Sequence, residues 1–483
     1  MTFNPTTLID GYKIDHRRQY PAGTTRVYSN WTPRDSRTQE KEVVFFGLQY
    51  FLDRYLTQEW EQFFISERED VVAAYERRVN GYLGPNSVGT EHIAALHDLG
   101  YLPLEFKTVP EGSVVPLRVP MLTVENTHPD FAWLVNYFET LMSSVLWMPC
   151  TSATTARAAR KVLDTYAEMT GSPAEFVDWQ GHDFSFRGMP GPEAAAMSGA
   201  GHLLFFTGTD TIPAIDFLED YYDAWSDFVG GSVAATEHSV MCAGGDENER
   251  QTFERLLDLY PSGIVSVVSD TWDLWNVLTN IVPSLKDRIL ARDGKLVIRP
   301  DSGDPVKIIV GDELAPVGSP ERKGVIELLW DTFGGTLTDK GYKLLDGHIG
   351  AIYGDSITYE RLTAILDGLE KKGFASANMV FGIGSFSYQY VTRDTYGFAM
   401  KATEVEIDGV SKPIFKDPVT DGGLKKSAKG RLAVISEGGT LVLVDEADEI
   451  TEAKSVLSTV WKDGEFVHRY TLAEVRANAK ASL

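Results

Sequence analysis

Short apolar runs that end abruptly in charged residues or glycines form the clearest pattern along this chain. Residues 296–298 make one such run, and Arg299 and Asp301 follow it almost at once. Three similar runs lie at residues 264–268, 349–352 and 379–381. Apolar runs of this length are typical of buried parallel strands, and in α/β folds ligands bind at the carboxyl ends of such strands. The pattern therefore predicts a parallel sheet with a polar site along one edge.

The residues that follow the other three runs support this prediction. They are Asp270 after the first run, Gly354 and Asp355 after the second, and Gly384 and Ser385 after the third. Segments of helical composition separate the runs, and an α/β barrel builds its site from the carboxyl ends of successive strands. We therefore expect an α/β fold with an irregular TIM-like barrel over residues 151–390.

The two ends of the chain follow a different pattern. Residues 1–150 mix short alternating segments with helices, of which residues 131–147 carry a wide apolar face. Residues 391–483 hold three hairpin signals between short strands, at positions 405–409, 436–440 and 461–465. We expect these two parts to build a β-rich second domain from both chain ends.

Length and charge narrow the class of protein. A chain of 483 residues exceeds what one hydrophobic core usually supports, so two or more domains are expected. The 45 Lys and Arg residues against 69 Asp and Glu residues leave a net charge of −24, which opposes binding to nucleic acid or to an anionic membrane. No apolar run in the sequence reaches the length of a membrane span.

Cysteine usage and the first residues indicate the compartment. Cys150 and Cys242 provide neither a disulfide framework nor a cysteine-rich metal site. Residues 1–12 lack the charged-then-apolar profile of a secretory signal peptide. We therefore expect a protein of the reducing cytoplasm.

Three segments carry candidate functional side chains, and each has a structural alternative. Residues 181–188 fit either a loop whose aromatics fill a core or a platform for a flat aromatic ligand with Arg187 at its edge. Asp210 lies in a hydroxyl-rich turn, where an Asp either caps the next helix or meets a ligand. Glu237 and His238 are an adjacent carboxylate and imidazole, which serve either structure or catalysis.

Several common motifs do not occur in the sequence. There is no Walker-type phosphate loop, no His-Glu-x-x-His and no nucleophile elbow with suitable partners. Gly382 and Gly384 are too few for a dinucleotide fingerprint, but they suit backbone N–H groups that bind a phosphate. The basic residues from Lys425 to Arg431 fit either a solvated loop or a phosphate-binding segment.

Together these segments resemble the nicotinamide phosphoribosyltransferase family, in order, over nearly the whole chain. The motifs that carry the resemblance lie at residues 10–13, 47–50, 124–127, 182–184, 208–211, 237–239, 267–270, 298–303, 354–355, 392–394, 415–418 and 429–431. The loop at residues 383–386 is less glycine-rich than in most of that family. The resemblance implies a type II phosphoribosyltransferase, an enzyme that joins nicotinamide to 5-phosphoribosyl pyrophosphate and gives nicotinamide mononucleotide and pyrophosphate. It also implies a homodimer with both sites at the subunit interface.

The resemblance further implies how the substrates would be held. The nicotinamide ring would lie between Phe184 and Tyr12 of the partner subunit, with Arg187 against the ring and Asp210 accepting a hydrogen bond from the amide. An ionised Asp welcomes an amide donor and repels the carboxylate of nicotinic acid. The other implied substrate-binding residues are Asp10, Ser266, Arg299, Asp301, Gly354 and Asp355, of which the last four would hold the ribose hydroxyls.

Phosphate binding and catalysis follow from the same resemblance. The 5′-phosphate and pyrophosphate would be held by Gly384, Ser385, Arg34, Lys416 and Lys425, with Arg393 and Lys401 of the partner subunit. His238 would be phosphorylated by ATP as a co-substrate, with Glu237 beside it and Asp270 orienting it through a hydrogen bond. Mg²⁺ would neutralise the departing pyrophosphate, and its protein ligands are not implied. Catalysis would then rest on positioning the ring nitrogen and on stabilising the departing charge, with Asp301 among the catalytic residues.

Three other functions stay open from the sequence. A nicotinate phosphoribosyltransferase would share the barrel, but its site should present donors or positive charge where Asp210 stands. A non-catalytic ligand-binding or signalling protein on the same fold would not need Glu237 and His238. A barrel hydrolase needs two opposed carboxylates, which Asp270 and Asp301 would supply, but it leaves the basic residues without a role.

Overall fold

The structure is a computed structural model that describes residues 3–418, residue 420 and residues 426–483. The chain forms two compact units. The barrel unit comprises Thr155–Asp216 and Phe228–Tyr390, and the terminal unit comprises Met1–Thr154, Phe217–Asp227 and Val391–Leu483. Lys425, which we expected to bind phosphate, lies outside the described residues.

The barrel unit contains a seven-stranded sheet in which all neighbouring strands are parallel. In spatial order its strands are Gly208–Thr209, Gly181–Asp183, Met379–Ile383, Ile349–Tyr353, Asp293–Arg299, Ser262–Val268 and Ala234–Ala235. An isolated parallel bridge from Gly208 to Gly231, just before the last strand, connects the two edges of the sheet. The prediction of an irregular α/β barrel is therefore confirmed.

The four apolar runs of the sequence all become strands of this barrel. On the strand Asp293–Arg299, Leu296 and Ile298 are fully buried, whereas Lys295 and Val297 are only half-buried. Side chains alternate between the two faces of a strand, so these two pairs lie on opposite faces of the barrel wall. Residues 296–298 form an unbroken apolar run because both faces carry apolar side chains there. Lys295 and Arg299 limit the run on the face of Val297.

Helices of varied length connect the strands of the barrel unit. They are Val177–Gln180, Pro192–His202, His238–Cys242, Glu249–Leu259, Leu274–Asn276, the π-helical Val277–Ile281, Val282–Ser284, Lys286–Leu290, Pro305–Val310, Pro320–Lys323, Val325–Phe333, Tyr359–Lys371 and Ser385–Tyr388. Short 3₁₀ turns lie at Ala174–Phe176, Phe186–Gly188, Asp246–Asn248 and Ser376–Asn378, and a small hairpin pairs Gly335–Leu337 with Lys343–Leu345.

The terminal unit is built on an antiparallel seven-stranded sheet that interleaves strands from both chain ends. In spatial order its strands are Val410–Pro413, Ala399–Ile407, Thr24–Thr32, Leu122–Asn126, Leu104–Thr108, Ser458–Lys462 and Glu465–Phe466. Two smaller pairs join Glu42–Val44 to Val114–Pro116 and Ala433–Glu437 to Thr440–Val444. This is the expected β-rich second domain.

Helices also contribute to the terminal unit. They are His16–Gln19, Leu48–Tyr50, the π-helical Phe51–Glu59, Trp60–Ile65, Arg68–Leu83, Glu91–Leu99, Leu134–Tyr137, Glu449–Glu452 and Leu472–Lys480, with 3₁₀ turns at Pro5–Thr7, Gly11–Asp15, Pro129–Phe131 and Arg393–Thr395. The helices Glu139–Thr170 and Ile212–Tyr222 each run from one unit into the other.

A buried carboxylate explains why the segment Phe217–Asp227 belongs to the terminal unit. Glu111 accepts hydrogen bonds from the backbone N–H groups of Gly47 at 2.9 Å and Gln49 at 2.7 Å. It also accepts one from the hydroxyl of Tyr222 at 2.7 Å, within that segment. Burial raises the pKa of Glu111, and these donors oppose the rise. The side chain thus satisfies free N–H groups at a helix start and ties the internal segment to it.

Candidate functional site

The carboxylate of Asp210 is held firmly at the end of the strand Gly208–Thr209. Its Oδ1 lies 2.8 Å from Nε2 of His182 and accepts a hydrogen bond from the hydroxyl of Ser232 at 2.7 Å. A carboxylate accepts only, so Nε2 of His182 carries the hydrogen. Burial would raise the pKa of Asp210, but the bond and charge of His182, the bond from Ser232 and the charge of Arg299 together lower it. Asp210 is therefore ionised near neutral pH, and its Oδ2 takes no part in these bonds.

Asp210 opens onto a cavity of about 420 Å³ in the barrel unit. The cavity is lined by Phe184, Phe186, Arg187, Asp210, Thr211, Arg299, Asp301 and Gly354. Six of these eight were predicted from the sequence as substrate-binding or catalytic residues, and only Phe186 and Thr211 were not. The structure thus brings together residues from four separate segments of the chain at the carboxyl ends of the strands.

The ring of Phe184 forms a flat wall of this cavity because two glycines give it room. A Cβ atom at Gly382 would lie 2.3 Å from Cδ2 of Phe184, and one at Gly354 would lie 3.5 Å from its Cε2. The backbone N–H of Phe184 also donates to the carbonyl of Ile383 at 3.0 Å. Of the two readings of residues 181–188, a platform for a flat ligand fits this arrangement better than a plug in a core, because Phe186 and Arg187 are exposed.

His238 is the first residue of the helix His238–Cys242, and its side chain is 47% exposed. Its Nδ1 lies 3.1 Å from the hydroxyl oxygen of Thr271, and its Nε2 lies 3.7 Å from Oδ2 of Asp301. Glu237, which precedes it, accepts a short hydrogen bond from the hydroxyl of Ser239. The imidazole is thus accessible and faces a carboxylate of the cavity wall.

Asp270 differs from the expectation. We expected its carboxylate to hydrogen-bond to His238, but its Oδ2 accepts three bonds from the neighbouring strand's loop. The donors are the backbone N–H of Asp301 at 2.8 Å, the backbone N–H of Ser302 at 2.7 Å and the hydroxyl of Ser302 at 2.6 Å. The contact to His238 is instead made by the hydroxyl of Thr271, the next residue.

Arg299 and Ser266 lie on the inner face of the barrel. Arg299 donates a short hydrogen bond to the carbonyl of Thr236. Burial lowers the pKa of Arg299, and the charges of Asp301, Asp210 and Asp270 oppose this. Its guanidinium therefore stays positively charged among three carboxylates. Ser266 lines the interior of the barrel rather than the cavity at its mouth.

The interior of the barrel is hollow, which the sequence analysis did not foresee. A second cavity of about 340 Å³ lies among the inward-facing side chains and shares Phe184, Asp210 and Arg299 with the first. Small residues such as Gly350 and Ser266 leave this space open. Lys295, Val297 and Arg299 alternate with period two and so point to the same inner face of the strand. A lysine and an arginine do not fill an apolar core, and this was the signal in the sequence for a hollow interior.

The expected phosphate loop lies beside the first cavity. Gly384 follows the strand Met379–Ile383, and its carbonyl accepts the N–H groups of Ser387 and Tyr388, each at 3.1 Å. A Cβ atom at Gly188 would lie 2.4 Å from Cβ of Ser385, so the loop that carries Arg187 packs directly on Ser385. Asp355 is exposed next to Gly354.

The remaining predicted residues belong to the terminal unit, and three of the cations form a cluster there. Burial lowers the pKa of Lys401; Glu139 opposes this, and the charges of Arg34 and Lys416 lower it further. Arg34 donates to the carbonyl of Gly397 at 2.8 Å. Such a concentration of positive charge suits a phosphate group. We call Arg34, Lys401 and Lys416 the basic cluster.

Other predicted residues of the terminal unit lie at its surface. Tyr12 is 61% exposed, although it is a large aromatic residue. Asp10 accepts a hydrogen bond from the hydroxyl of Thr140 at 2.8 Å. Arg393 forms an exposed ion pair with Asp394 at 2.9 Å.

Among the described residues, no group of three or more His, Cys, Asp or Glu side chains is arranged to hold a metal ion. Within the same residues, no helix combines the length and the apolar character that crossing a membrane requires. Cys150 is buried and Cys242 is exposed, and both are free thiols.

Comparison with known proteins gives a consistent result. The profile of the nicotinate phosphoribosyltransferase (NAPRTase) family matches residues 179–465, and that of the nicotinamide phosphoribosyltransferase N-terminal domain matches residues 4–105. The nicotinamide phosphoribosyltransferase of Acinetobacter baylyi is 53% identical over 98% of this chain and 96% of its own. The chain belongs to the nicotinamide phosphoribosyltransferase family.

More distant relatives agree with this assignment. The nicotinamide phosphoribosyltransferase of Mycoplasma pneumoniae is 37% identical over 87% of this chain and 94% of its own. Among solved structures, nicotinate-nucleotide pyrophosphorylase from Pyrococcus furiosus matches 99% of this chain and 95% of its own, with a TM-score of 0.61 and 15% identity. Human nicotinic acid phosphoribosyltransferase matches 98% and 93%, with a TM-score of 0.57 and 14% identity. These two structures share the fold of this family member.

Proposed function

We propose that this protein joins nicotinamide to 5-phosphoribosyl pyrophosphate and releases nicotinamide mononucleotide and pyrophosphate. The observation that carries this proposal is the ionised carboxylate of Asp210 at one end of a cavity walled by Phe184. Membership of the nicotinamide phosphoribosyltransferase family supports it.

Selection of the amide over the acid follows from hydrogen-bond chemistry. The amide of nicotinamide offers an N–H₂ donor to Oδ2 of Asp210, and its ring lies flat against Phe184. Nicotinic acid instead presents a carboxylate to a carboxylate, which disfavours it. His182 and Ser232 occupy Oδ1 and so leave Oδ2 for the ligand.

The reaction is a substitution at the anomeric carbon of the ribose. The ring nitrogen of nicotinamide forms a bond to C1′ while the bond from C1′ to the pyrophosphate oxygen breaks, and the pyridinium nitrogen takes the positive charge that balances the departing anion. The carboxylate of Asp301 lies in the cavity wall, where it holds the ribose hydroxyls and stabilises positive charge on the sugar. Arg299 binds the same sugar from the inner face.

The phosphate groups require cations and backbone donors. Gly384 and Ser385 would hold the 5′-phosphate, and the basic cluster with Arg393 would hold phosphate oxygens. We infer that Arg393 and Lys401 act on the site of the partner subunit, with Tyr12 of the partner subunit covering the ring, so that the enzyme works as a homodimer. Mg²⁺ would be held by the pyrophosphate of the substrate, because this ion is usually bound through substrate phosphates with one or two carboxylates and not by an all-protein site.

ATP would act through His238. The imidazole is accessible, and Asp301 lies 3.7 Å from its Nε2. ATP would transfer its γ-phosphoryl group to a ring nitrogen of His238: the P–N bond forms as the bond from the γ-phosphorus to the bridging oxygen breaks, and ADP leaves. The phosphoryl oxygens and Asp301 would then help to hold Mg²⁺ near the departing pyrophosphate, where the metal offsets the negative charge. We therefore expect ATP to stimulate turnover. A cytoplasmic location is proposed from the two free cysteines.

A product assay tests the proposed function. The purified protein is incubated with phosphoribosyl pyrophosphate, Mg²⁺ and either nicotinamide or nicotinic acid, each with and without ATP. Mononucleotide formed from nicotinamide, and faster with ATP, is the expected result. A preference for nicotinic acid would instead favour the second candidate, a nicotinate phosphoribosyltransferase. The match of residues 179–465 to the profile of that family is the observation that supports this candidate. No product with either base from folded protein would favour a binding protein.

A further inference from the structure

Two distant segments of the barrel unit meet at one fully buried histidine, His202, the last residue of the helix Pro192–His202. Its Nε2 lies 3.0 Å from the carbonyl oxygen of Gly208, and its Nδ1 lies 2.7 Å from the hydroxyl oxygen of Tyr388. A carbonyl only accepts, so Nε2 carries the hydrogen and Nδ1 accepts the hydroxyl hydrogen of Tyr388. Both ring nitrogens are therefore used, one for each segment.

His202 and Tyr388 each keep one protonation state, so the hydrogen bonds that connect Gly208, His202 and Tyr388 do not change with pH in the physiological range. Burial lowers the pKa of His202 to about 4, against the opposing charge of Asp183. Burial likewise raises the pKa of Tyr388 well above the usual value for tyrosine. Both groups are neutral across the physiological range, so the two hydrogen bonds keep one direction and one tautomer. The rings also pack edge to face, with centroids 5.8 Å apart.

Each end of this connection leads to a different part of the site. Gly208 belongs to a strand of only two residues, and the next residue after that strand is Asp210. Tyr388 ends the helix Ser385–Tyr388, and its N–H donates to the carbonyl of Gly384. The strand Gly208–Thr209 is also held by its neighbours, since the N–H of Thr209 donates to Gly231 and the N–H of Asp210 donates to Asp183, each at 3.0 Å. His202 adds the side-chain bonds that relate this strand to the helix Ser385–Tyr388.

We propose that His202 is a positioning residue that sets the separation between the base-binding segment at Asp210 and the phosphate loop at Gly384 and Ser385. The inference rests on the proposed function, in which the first segment holds the ring and the second holds the 5′-phosphate. Attack requires the ring nitrogen about 3–3.5 Å from C1′, and a misplacement of about 1 Å costs up to roughly 100-fold in rate. His202 touches neither substrate and acts through these two segments.

Three substitutions separate the two hydrogen bonds. Tyr388→Phe removes the hydroxyl alone and keeps the ring. His202→Gln places an amide N–H near the position of Nε2, which keeps the donor to Gly208 and loses the acceptor for Tyr388. His202→Asn places an oxygen near Nδ1 and loses the bond to Gly208. Tyr359→Phe, on the partly exposed start of another barrel-unit helix, is the matched control.

The readout distinguishes positioning from folding. For Tyr388→Phe and His202→Gln we expect kcat per active site to fall by about 3- to 10-fold, the size expected from one lost hydrogen bond. The Kd of phosphoribosyl pyrophosphate, measured by calorimetry, and the KM of nicotinamide should stay within about twofold, because each subsite is intact by itself. The double variant Tyr388→Phe/His202→Gln should be no slower than the slower of the two single variants. Both changes remove the same hydrogen bond, the one between the hydroxyl of Tyr388 and Nδ1 of His202.

Other results would overturn the proposal. One such result is an unchanged kcat in Tyr388→Phe. Another is a fall in kcat matched by an equal weakening of phosphoribosyl pyrophosphate binding. Either would mean that His202 does not set the distance between the segment at Asp210 and the loop at Gly384 and Ser385. If His202→Gln or His202→Asn fails to fold, Tyr388→Phe alone decides. If the wild-type protein forms no mononucleotide, the proposed function fails by itself. The connection is then judged by amide hydrogen exchange at residues 208–210, which should be faster in Tyr388→Phe than in Tyr359→Phe and equal if His202 fixes nothing.

Discussion

The carboxylate of Asp270 receives the backbone N–H of Asp301 at 2.8 Å, so one acidic residue holds another in place through its main chain. Ser302 adds two further donors to the same oxygen. Asp301 in turn lies 3.7 Å from Nε2 of His238. Asp270 therefore anchors the loop that carries Asp301, the carboxylate that faces His238.

This relationship predicts different outcomes for two substitutions at Asp270. Asp270→Asn keeps an acceptor oxygen for the loop, so kcat/KM for phosphoribosyl pyrophosphate should fall by less than about tenfold. Asp270→Ala removes the acceptor of all three donors; the two donors of Ser302 are exposed and can turn to water, whereas the N–H of Asp301 is partly buried and loses about 1–3 kcal/mol, so kcat/KM should fall by about 10- to 100-fold. Steady-state kinetics of the two variants make the comparison. Equal losses would instead indicate that the negative charge of Asp270 acts on His238 directly.

Asp210 should decide which base is used. In Asp210→Asn a charge-assisted hydrogen bond is replaced by a neutral one, so kcat/KM for nicotinamide should fall by about 10- to 100-fold. Repulsion of nicotinic acid is removed at the same time, and the preference between the two bases should narrow. Competition assays with both bases measure this, and Asp216→Asn, on the exposed face of the following helix, is the control. An unchanged preference would contradict the role of Asp210.

Gly382 is predicted to be required because the ring of Phe184, and behind it the Cα atom of Gly354 at 3.0 Å, leave no room for a Cβ atom. The methyl group of Gly382→Ala would lie 2.3 Å from Cδ2 of Phe184, so the ring must move or the strand must shift. Overpacking of this kind costs about 1–3 kcal/mol, and we expect the KM of nicotinamide to rise by about tenfold with a lowered Tm. Gly347→Ala, where a Cβ atom meets nothing within 4 Å, should change neither quantity. A normal KM in Gly382→Ala would show that Phe184 does not bind the ring.

Stability should depend on pH through Glu249. Burial and the nearby charge of Asp273 raise the pKa of Glu249 from 4.5 to about 7. As pH rises from about 4.5 to about 7, the unfolded chain loses this proton first, so the free energy of unfolding should fall and then level off. Glu249→Gln should remove this component and raise stability at pH 8 relative to the wild type. Urea denaturation at pH 5 and pH 8 tests it, with Glu254→Gln on the same helix as control, and an identical pH profile in Glu249→Gln would refute the assignment.

The sequence predicted the barrel and most of its site for a simple physical reason. Parallel strands expose their carboxyl ends on one side, so residues that follow apolar runs must come together wherever they lie in the chain. Phe184, Arg187, Asp210, Arg299 and Asp301 accordingly line one cavity. The family resemblance added the roles of these side chains, which the apolar pattern alone does not contain.

The partners of Asp270 and the links made by His202 lay beyond this reasoning. Which donor reaches a carboxylate depends on loop geometry at the scale of a single ångström, and Asp270 and Thr271 are adjacent in the sequence. In the sequence, His202 is a polar residue at the end of a helix of small residues. The residues around it do not indicate Tyr388 as its partner, because Tyr388 lies far along the chain. The sequence pattern likewise places residues 217–227 in the barrel region, whereas the structure joins Phe217–Asp227 to the terminal unit through the tertiary bond from Tyr222 to Glu111.

The hollow interior of the barrel has a consequence for how this protein can change over evolution. A space of about 340 Å³ holds roughly ten water molecules, and each methylene group added to it would contribute about 0.8 kcal/mol if it packed well. Larger residues at inward positions such as Ser266 are thus the most direct route to a more heat-resistant protein. The same substitutions would fill the cavity behind Asp210. The positions that could raise thermal stability are therefore the positions that shape the binding site.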